Sequence, residues 1–282
     1  ADACLDTICL MISRESTEAF CVQNECVWPG DTNGDWKANQ FDLLNLGLGY
    51  GQMGPAREEF PIADDPTAWA PNTSTDWDHW TNTSINYKHL DCDGDGAIGE
   101  DDVQAIIDNY RPDFSLETPS TPGAPPVFLK FTSEVVEWDY TTNEDIIFQA
   151  QVIVGSSENP ISNLHGIALD FSHPEGLTEV GAITATPSEN SPLGASDDLL
   201  AVKYDLLAME IPRYDLAISR KATEGADGFG AIFDLSFIVS GDIIGGLNEP
   251  ITAFEIALER VRMVDAEGDS LTFSIGVPAT IS

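Results

Sequence analysis

The spacing of apolar residues changes character partway along this 282-residue chain. In the first part apolar positions form two short clusters at helical spacing. Leu43, Leu44 and Leu46 make one, and Val103, Ile106, Ile107 and Tyr110 the other, each directly after an acidic stretch. Between them, residues 51–90 are rich in Pro, Asn, Thr and Trp and show no period, so they read as an irregular insertion. Residues 117–126 (ETPSTPGAPP) predict a stiff, extended linker. Beyond it the period becomes two. Phe148, Ala150, Val152 and Val154 alternate with Gln149, Gln151 and Ile153, and Ile167, Leu169 and Phe171 with Ala168, Asp170 and Ser172. Tyr214, Leu216 and Ile218 repeat the pattern, as do Phe233, Leu235, Phe237 and Val239. Turns of Gly, Pro, Asn and Asp separate these runs, which predicts a β-sandwich over residues 127–282. Residues 254–264 fit strand or helix by pattern. They are read as strand because residues 265–269 (DAEGD) form a hairpin-turn signal leading into residues 271–273.

Charge narrows the classes of function. Asp and Glu number 48 against 12 Lys and Arg, a formal net charge of −36, so nucleic acid and anionic membrane are repelled. The acidity is even: residues 1–118 hold 23 acids and 5 bases, and residues 119–282 hold 25 and 7. Opposite charge therefore cannot be what joins one part to another. No apolar run approaches the ~20 residues of a membrane-spanning helix. The opening Ala-Asp-Ala-Cys suits a mature terminus left by cleavage at a small-residue site, and cysteine usage fits export. Cys4, Cys9, Cys21 and Cys26 crowd the first 26 residues, and Cys92 is the fifth. There is no CxxC pair and the four His are scattered, so residues 1–25 read as a disulfide-stapled segment rather than a zinc site. With an odd count, one thiol is free or pairs between molecules.

Two acidic stretches carry the clearest chemistry. Ca²⁺ takes six to eight oxygens, which a loop supplies from alternate residues before a carboxylate at a helix start closes the cage. Residues 91–102 (DCDGDGAIGEDD) offer Asp91, Asp93 and Asp95, then Gly96 for the sharp turn, the Ala97 carbonyl, room for a water at Gly99, and Asp102. Residues 31–42 (DTNGDWKANQFD) offer Asp31, Asn33, Asp35, the Lys37 carbonyl, Asn39 and Asp42. Here Trp36 stands where Gly is expected, a departure that predicts backbone strain. The repeated spacing argues for two bound Ca²⁺ ions. The expected fold class is mixed: a small α-rich, EF-hand-like calcium-loop domain (26–116, with the insertion at 51–90), then an all-β sandwich.

The two loops, each followed by a short helix and closed by Asp, resemble a type I dockerin. The flanks CVWPGD (26–31), GPAR (54–57) and KHLDC (88–92) are similar to a variant found in secreted Bacteroidota proteins. That resemblance implies a Cys26–Cys92 disulfide. The insertion is longer than in ordinary dockerins, which alters the face that would meet a partner. The second domain resembles a cohesin in LHGIALDF (164–171), YDLAISR (214–220) and GFGAIFDLSF (228–237); an unrelated adhesin-type sandwich fits the same strand pattern.

Catalytic motifs are missing: the sequence has no HExxH, GxSxG or Gly-rich phosphate loop. His165 and His173 fall at strand edges and read as structural or exposed, so the chain is not expected to be an enzyme. Trp69, Trp77 and Trp80 in the insertion read either as a sugar-stacking platform or as a small satellite core. The resemblances imply a receptor and its ligand in one chain, hence head-to-tail association with other copies of itself into filaments. Residues 4–12 (CLDTICLMI) read equally as a strand added to a neighbour's sheet or as part of their own domain. The expected protein is a secreted or cell-surface, calcium-dependent structural protein. The alternative is a monomeric adhesin meeting cell-surface proteins or polysaccharide.

Overall fold

The computed structural model describes residues 26–57, 67–114, 120–133, 144–174, 181–206, 212–239 and 253–281. The chain divides between Pro112 and Asp113 into two compact units. Cys4, Cys9, Cys21 and the 4–12 segment lie outside the described residues.

The first unit holds two short helices, α1 (Asp42–Gly49) and α2 (Glu100–Asp108), and a 3₁₀ turn (Tyr87–His89). Each helix begins where an acidic loop ends. As predicted, α1 buries Leu43, Leu44 and Leu46, whereas α2 buries Val103 and Ile106 together with Ala105 and leaves Ile107, and Tyr110 just past its end, half-buried. A pseudo-twofold relation with an offset of 60 residues links the halves. The Arg111 N–H donates to the Ala38 carbonyl at 2.7 Å, and the Gly51 N–H to the Ile98 carbonyl at 2.9 Å. Each loop is thus pinned by the residue just past the other loop's helix. Two helices of this length are too short to persist alone, so this crossed pairing and the shared core hold them.

The second unit is a β-sandwich. Its strands are β1 (Pro126–Phe131), β2 (Ile146–Val154), β3 (Ile161–Ser172), β4 (Ile183–Pro187), β5 (Leu199–Leu206) and β6 (Arg213–Arg220). They continue with β7 (Ala226–Gly228), β8 (Gly230–Val239), β9 (Phe254–Asp265), β10 (Ser274–Ile275) and β11 (Ala279–Ile281). One sheet runs β10-β1-β2-β8-β4. The other runs β11-β9-β3-β6-β5, with β7 alongside β3. All pairings are antiparallel except β1 with β10. The alternation on β2 is observed: Phe148, Ala150, Val152 and Val154 are buried between the sheets. Residues 254–264 are strand, and Asp265 turns the chain with its carboxylate accepting from the Glu267 and Asp269 N–H groups.

Two features depart from the sequence pattern. Residues 120–126, expected as linker, are bonded onto the sandwich. Thr121 N–H donates to the Phe273 carbonyl at 2.7 Å, and Ser274 N–H to the Pro125 carbonyl at 3.0 Å. On β3 both faces are buried, so Asp170, expected to face outward, is fully enclosed. Its carboxylate accepts from the Arg260 backbone N–H at 2.8 Å and pairs with the Arg260 guanidinium directly across on β9. Arg213 from β6 stands 3.8 Å away. The Phe114 ring covers both cations, at 5.0 Å from Arg260 and 5.4 Å from Arg213, and the Asp113 carbonyl accepts from Arg260. The chain entering the sandwich thus caps a buried ion pair.

Removing one partner of such a pair is far worse than replacing both. Asp170→Ala should cost about 3–5 kcal/mol of sandwich stability. The double change Asp170→Ala with Arg260→Met should recover most of it, as read by denaturant unfolding of the full chain.

Candidate metal centre

Both acidic loops are built on one hydrogen-bond plan. In loop one (residues 31–42) the Asp42 Oδ1 accepts from the Thr32 N–H at 2.8 Å and the Asn33 N–H at 3.2 Å, and Oδ2 from Asn39 N–H at 2.8 Å. In loop two (residues 91–102) Asp102 Oδ1 accepts from the Cys92 N–H and, at 3.2 Å, the Asp93 N–H, and Oδ2 from Gly99 N–H at 2.7 Å. Every donor lies 60 positions from its counterpart. The side chains between follow suit: Asn33 accepts from Asp35 N–H (2.9 Å) as Asp93 does from Asp95 N–H (3.0 Å). Asp35 accepts from Lys37 N–H (3.0 Å) as Asp95 does from Ala97 N–H (2.7 Å). Each loop is curled around its own carboxylates by its own backbone; among the described residues, three carboxylates close enough to share one ion are found in loop two.

In loop two the gathering is tight. Oxygens of Asp91, Asp93 and Asp95 all lie within 4.8 Å of one another, as three ligands at ~2.3–2.6 Å from one Ca²⁺ would. Asp91 Oδ2 is buried with no hydrogen-bond partner. Burial pushes Asp91 up to about 7, against the pull of Arg57, and pushes Asp102 to about 7. In loop one burial raises Asp31 to about 6 and Asp42 well above the carboxylate range, with the neighbouring carboxylates adding to each. Carboxylates crowded out of water and aimed at one another favour a proton or a cation between them. The donor set is all oxygen, with alternating side chains and the Lys37 or Ala97 carbonyl at the seventh position. It fits a hard divalent ion such as Ca²⁺ rather than zinc.

The loops differ in their covers. The turn position in loop two is Gly96, at φ 92°. A Cβ there would lie 2.9 Å from the Gly54 carbonyl oxygen, because residues 54–57 run across the loop. Gly54 N–H donates to the Gly96 carbonyl (3.0 Å), Arg57 N–H to the Gly94 carbonyl (2.9 Å), and the Arg57 guanidinium to the Cys92 carbonyl (2.6 Å). Loop one has no such strap among the described residues, and its turn residue Trp36 is half exposed at φ 67°. The left-handed backbone expected at Trp36 is therefore present. The tryptophan indole folds back edge-on against Trp28, with centroids 5.7 Å apart.

The Cys26–Cys92 disulfide implied by the resemblance is not formed: both cysteines are buried free thiols. Cys92 is the 60-residue counterpart of Thr32, whose hydroxyl donates to the Asp42 carbonyl at 2.6 Å beneath loop one. The Cys92 thiol is likewise turned under its loop, 3.8 Å from the His89 carbonyl, and burial holds its pKa well above the ordinary thiol value. The three insertion tryptophans do not share a face. Trp77 is 2% exposed and packs on Gly54, where a Cβ would fall 2.2 Å from the indole. Trp77 is thus core and is removed from the sugar-stacking set. Trp69 is half-buried against Trp28 (5.2 Å) under the Arg111 guanidinium (4.4 Å), while Trp80 is 53% exposed. His165, the supposed strand-edge histidine, is buried between Ser219 and the Ala222 carbonyl, and His173 is buried beside Phe171. Sequence reasoning passed over Trp28 and Arg57. Aligning the loops at their 60-residue offset exposes both, since each sits beside a loop residue with no match in the other repeat.

The sequence matches no family model and no curated protein. Among solved structures it is similar to a cohesin in a type I cohesin–dockerin complex from Clostridium thermocellum (9% identity, 59% of this chain and 97% of that chain, TM-score 0.43). It is also similar to the second type II cohesin module of a scaffoldin from Acetivibrio cellulolyticus (11%, 57% and 92%, 0.40). A third similarity is to a non-cellulosomal cohesin from the archaeon Archaeoglobus fulgidus (16%, 56% and 90%, 0.36).

Turn chemistry at positions 36 and 96 gives opposite expectations for the same pair of residue types. Trp36→Gly should stabilise the first unit by about 1 kcal/mol by relieving the left-handed backbone. Gly96→Ala should destabilise it by at least as much, since strain and the collision with Gly54 add. Five of the six tryptophans lie in residues 1–112, so indole fluorescence during urea unfolding reports this unit.

Proposed function

We propose that this protein is an extracellular, non-catalytic structural protein. It binds two Ca²⁺ ions through residues 31–42 and 91–102, and it associates head-to-tail with other copies of itself. The observation that supports the calcium reading is the duplicated loop plan: the same backbone donors, 60 residues apart, bind the closing carboxylates Asp42 and Asp102, while in loop two Asp91, Asp93 and Asp95 converge and Asp91 Oδ2 is left buried and unbonded. The proposed ligands are Asp31, Asn33, Asp35, the Lys37 carbonyl, Asn39 and Asp42 in one loop. In the other they are Asp91, Asp93, Asp95, the Ala97 carbonyl and Asp102. When bound, each ion supplies the positive charge that these buried carboxylates lack.

Self-association rests on the sequence resemblances of the two parts, one to a dockerin and one to a cohesin. A contact between unlike faces of identical chains does not close on itself and extends into a filament. Evenly spread negative charge opposes that contact at long range. Physiological salt shortens the repulsion to about 8 Å, and two ions remove four charges locally. Calcium therefore acts as the assembly switch in this reading. No helix among the described residues is long and apolar enough to cross a membrane, which accords with a chain acting outside the bilayer. The second reading, a monomeric adhesin, differs in needing no contact between copies.

Chelation should lower the melting temperature of the first unit and leave the sandwich transition in place. An unchanged profile in excess chelator would count against both ions. Tb³⁺ in loop one should luminesce on indole excitation through Trp36, and Asp31→Ala with Asp35→Ala should abolish most of that emission. Calcium added to chelated protein should raise light scattering, with elongated particles by negative-stain microscopy. A monomer at high concentration in millimolar calcium would leave the adhesin reading.

A further inference from the structure

Beside loop one lies a cleft of about 400 Å³, lined by Trp28, Trp36, Trp80, Ile85, His89 and Asp76. This is within the range of small-ligand sites, which combine apolar walls with a few fixed polar groups. Two of its walls are half-exposed indoles, Trp36 at 52% and Trp80 at 53%. Only three non-glycine residues among those described have a left-handed backbone, and two of them, Trp36 and Ser84, line this cleft. Such conformations are costly and cluster where a ligand is held. Each is locked by local bonds. Trp36 N–H donates to Asp31 Oδ2 at 3.0 Å. Ser84 N–H donates to the Thr81 carbonyl at 3.0 Å, inside a turn that Thr81 N–H closes onto the Ile85 carbonyl at 2.8 Å. A backbone bridge between Trp80 and Asn86 ties the chain that carries the second indole to the same turn.

The chemistry of the lining selects the occupant. Indole faces stack on the C–H faces of sugar rings, on aromatic rings or on cations. A cationic guest needs an uncompensated carboxylate, and neither one here is free. Asp76 pairs with the buried Lys88 ammonium at 2.6 Å, and Asp31 is a ligand of the loop-one ion on the reading above. An anionic guest meets a chain of net charge −36. What remains is a neutral ring with hydroxyls for a polar rim of Asp76, Ser84 and His89. We propose that this cleft binds a neutral sugar unit of an extracellular polysaccharide between Trp36 and Trp80. Because Asp31 both lines the cleft and holds the Trp36 N–H, an ion in loop one fixes one wall of the sugar site. That second clause, and the exclusion of a cationic guest through Asp31, rest on the proposed calcium binding, whereas the cleft and its two indoles do not.

The test is affinity electrophoresis of the full chain in gels containing mixed-linkage β-glucan, arabinoxylan or galactomannan, with polygalacturonate as the anionic control. Retardation is expected on at least one neutral polymer in calcium and not on polygalacturonate. Trp80→Ala, at an exposed position, should weaken it at least tenfold, and Trp36→Gly should do the same while Tb³⁺ binding measured by competition with Ca²⁺ persists. Mobility unchanged in all three neutral polymers would overturn the proposal, as would retardation indifferent to Trp80→Ala. Retardation that Trp80→Ala removes, in a protein that takes up no Tb³⁺, would uphold the sugar site and refute the metal reading instead.

Discussion

Asp42 and Asp102 are buried in the first turns of their helices, and each gathers three backbone N–H groups from the loop before it. Most of the first unit depends on those six bonds. They tie each loop end to a helix start, order helices too short to stand alone and, in loop two, leave Asp91, Asp93 and Asp95 converging on one another. The cost is electrostatic: a carboxylate satisfied by N–H groups on its rim is still a charge withdrawn from water. Burial is the leading cause of the raised pKa values of Asp31, Asp42, Asp91 and Asp102, so the fold concentrates a need for positive charge in these loops. Arg57 beside Asp91 answers that need in part in loop two.

The sandwich solves the same problem with protein groups. Asp170 is as buried as Asp42, but it faces Arg260 and Arg213 under the Phe114 ring. The contrast between the two units is one of counter-ion: guanidinium groups fixed by strand register in the second, and an ion from solution, on our reading, in the first.

What could be read from the sequence follows from how local each signal is. The loops were legible because their donors and turn residues lie within twelve positions, and the strands because inward residues repeat every second place. Residues 254–264 resolved as strand for the same reason, through the turn at Asp265. Long-range covers were not legible. Nothing local tells that Phe114 roofs Asp170, that residues 54–57 cross loop two, or that Trp77 is drawn into the core on Gly54 while Trp80 stays out. The expected disulfide failed similarly. Cys92 takes the buried place that Thr32 holds in the first repeat, a fact that appears only when the two loops are superposed at their offset.

The duplication also explains why the two loops are fit for different work. A strict repeat would give both the same cover, yet Gly96 lies under residues 54–57 and Trp36 lies open. Glycine at position 96 is required by that strap, since any side chain there meets the Gly54 carbonyl. At position 36 no strap comes near among the described residues, and a large side chain is tolerated despite its left-handed backbone. Strain kept where nothing demands it structurally is better explained by what the side chain faces, and Trp36 faces the cleft shared with Trp28 and Trp80. In the reading proposed here, the closed loop serves the fold, and the open one couples the same ion chemistry to a surface that a ligand can reach.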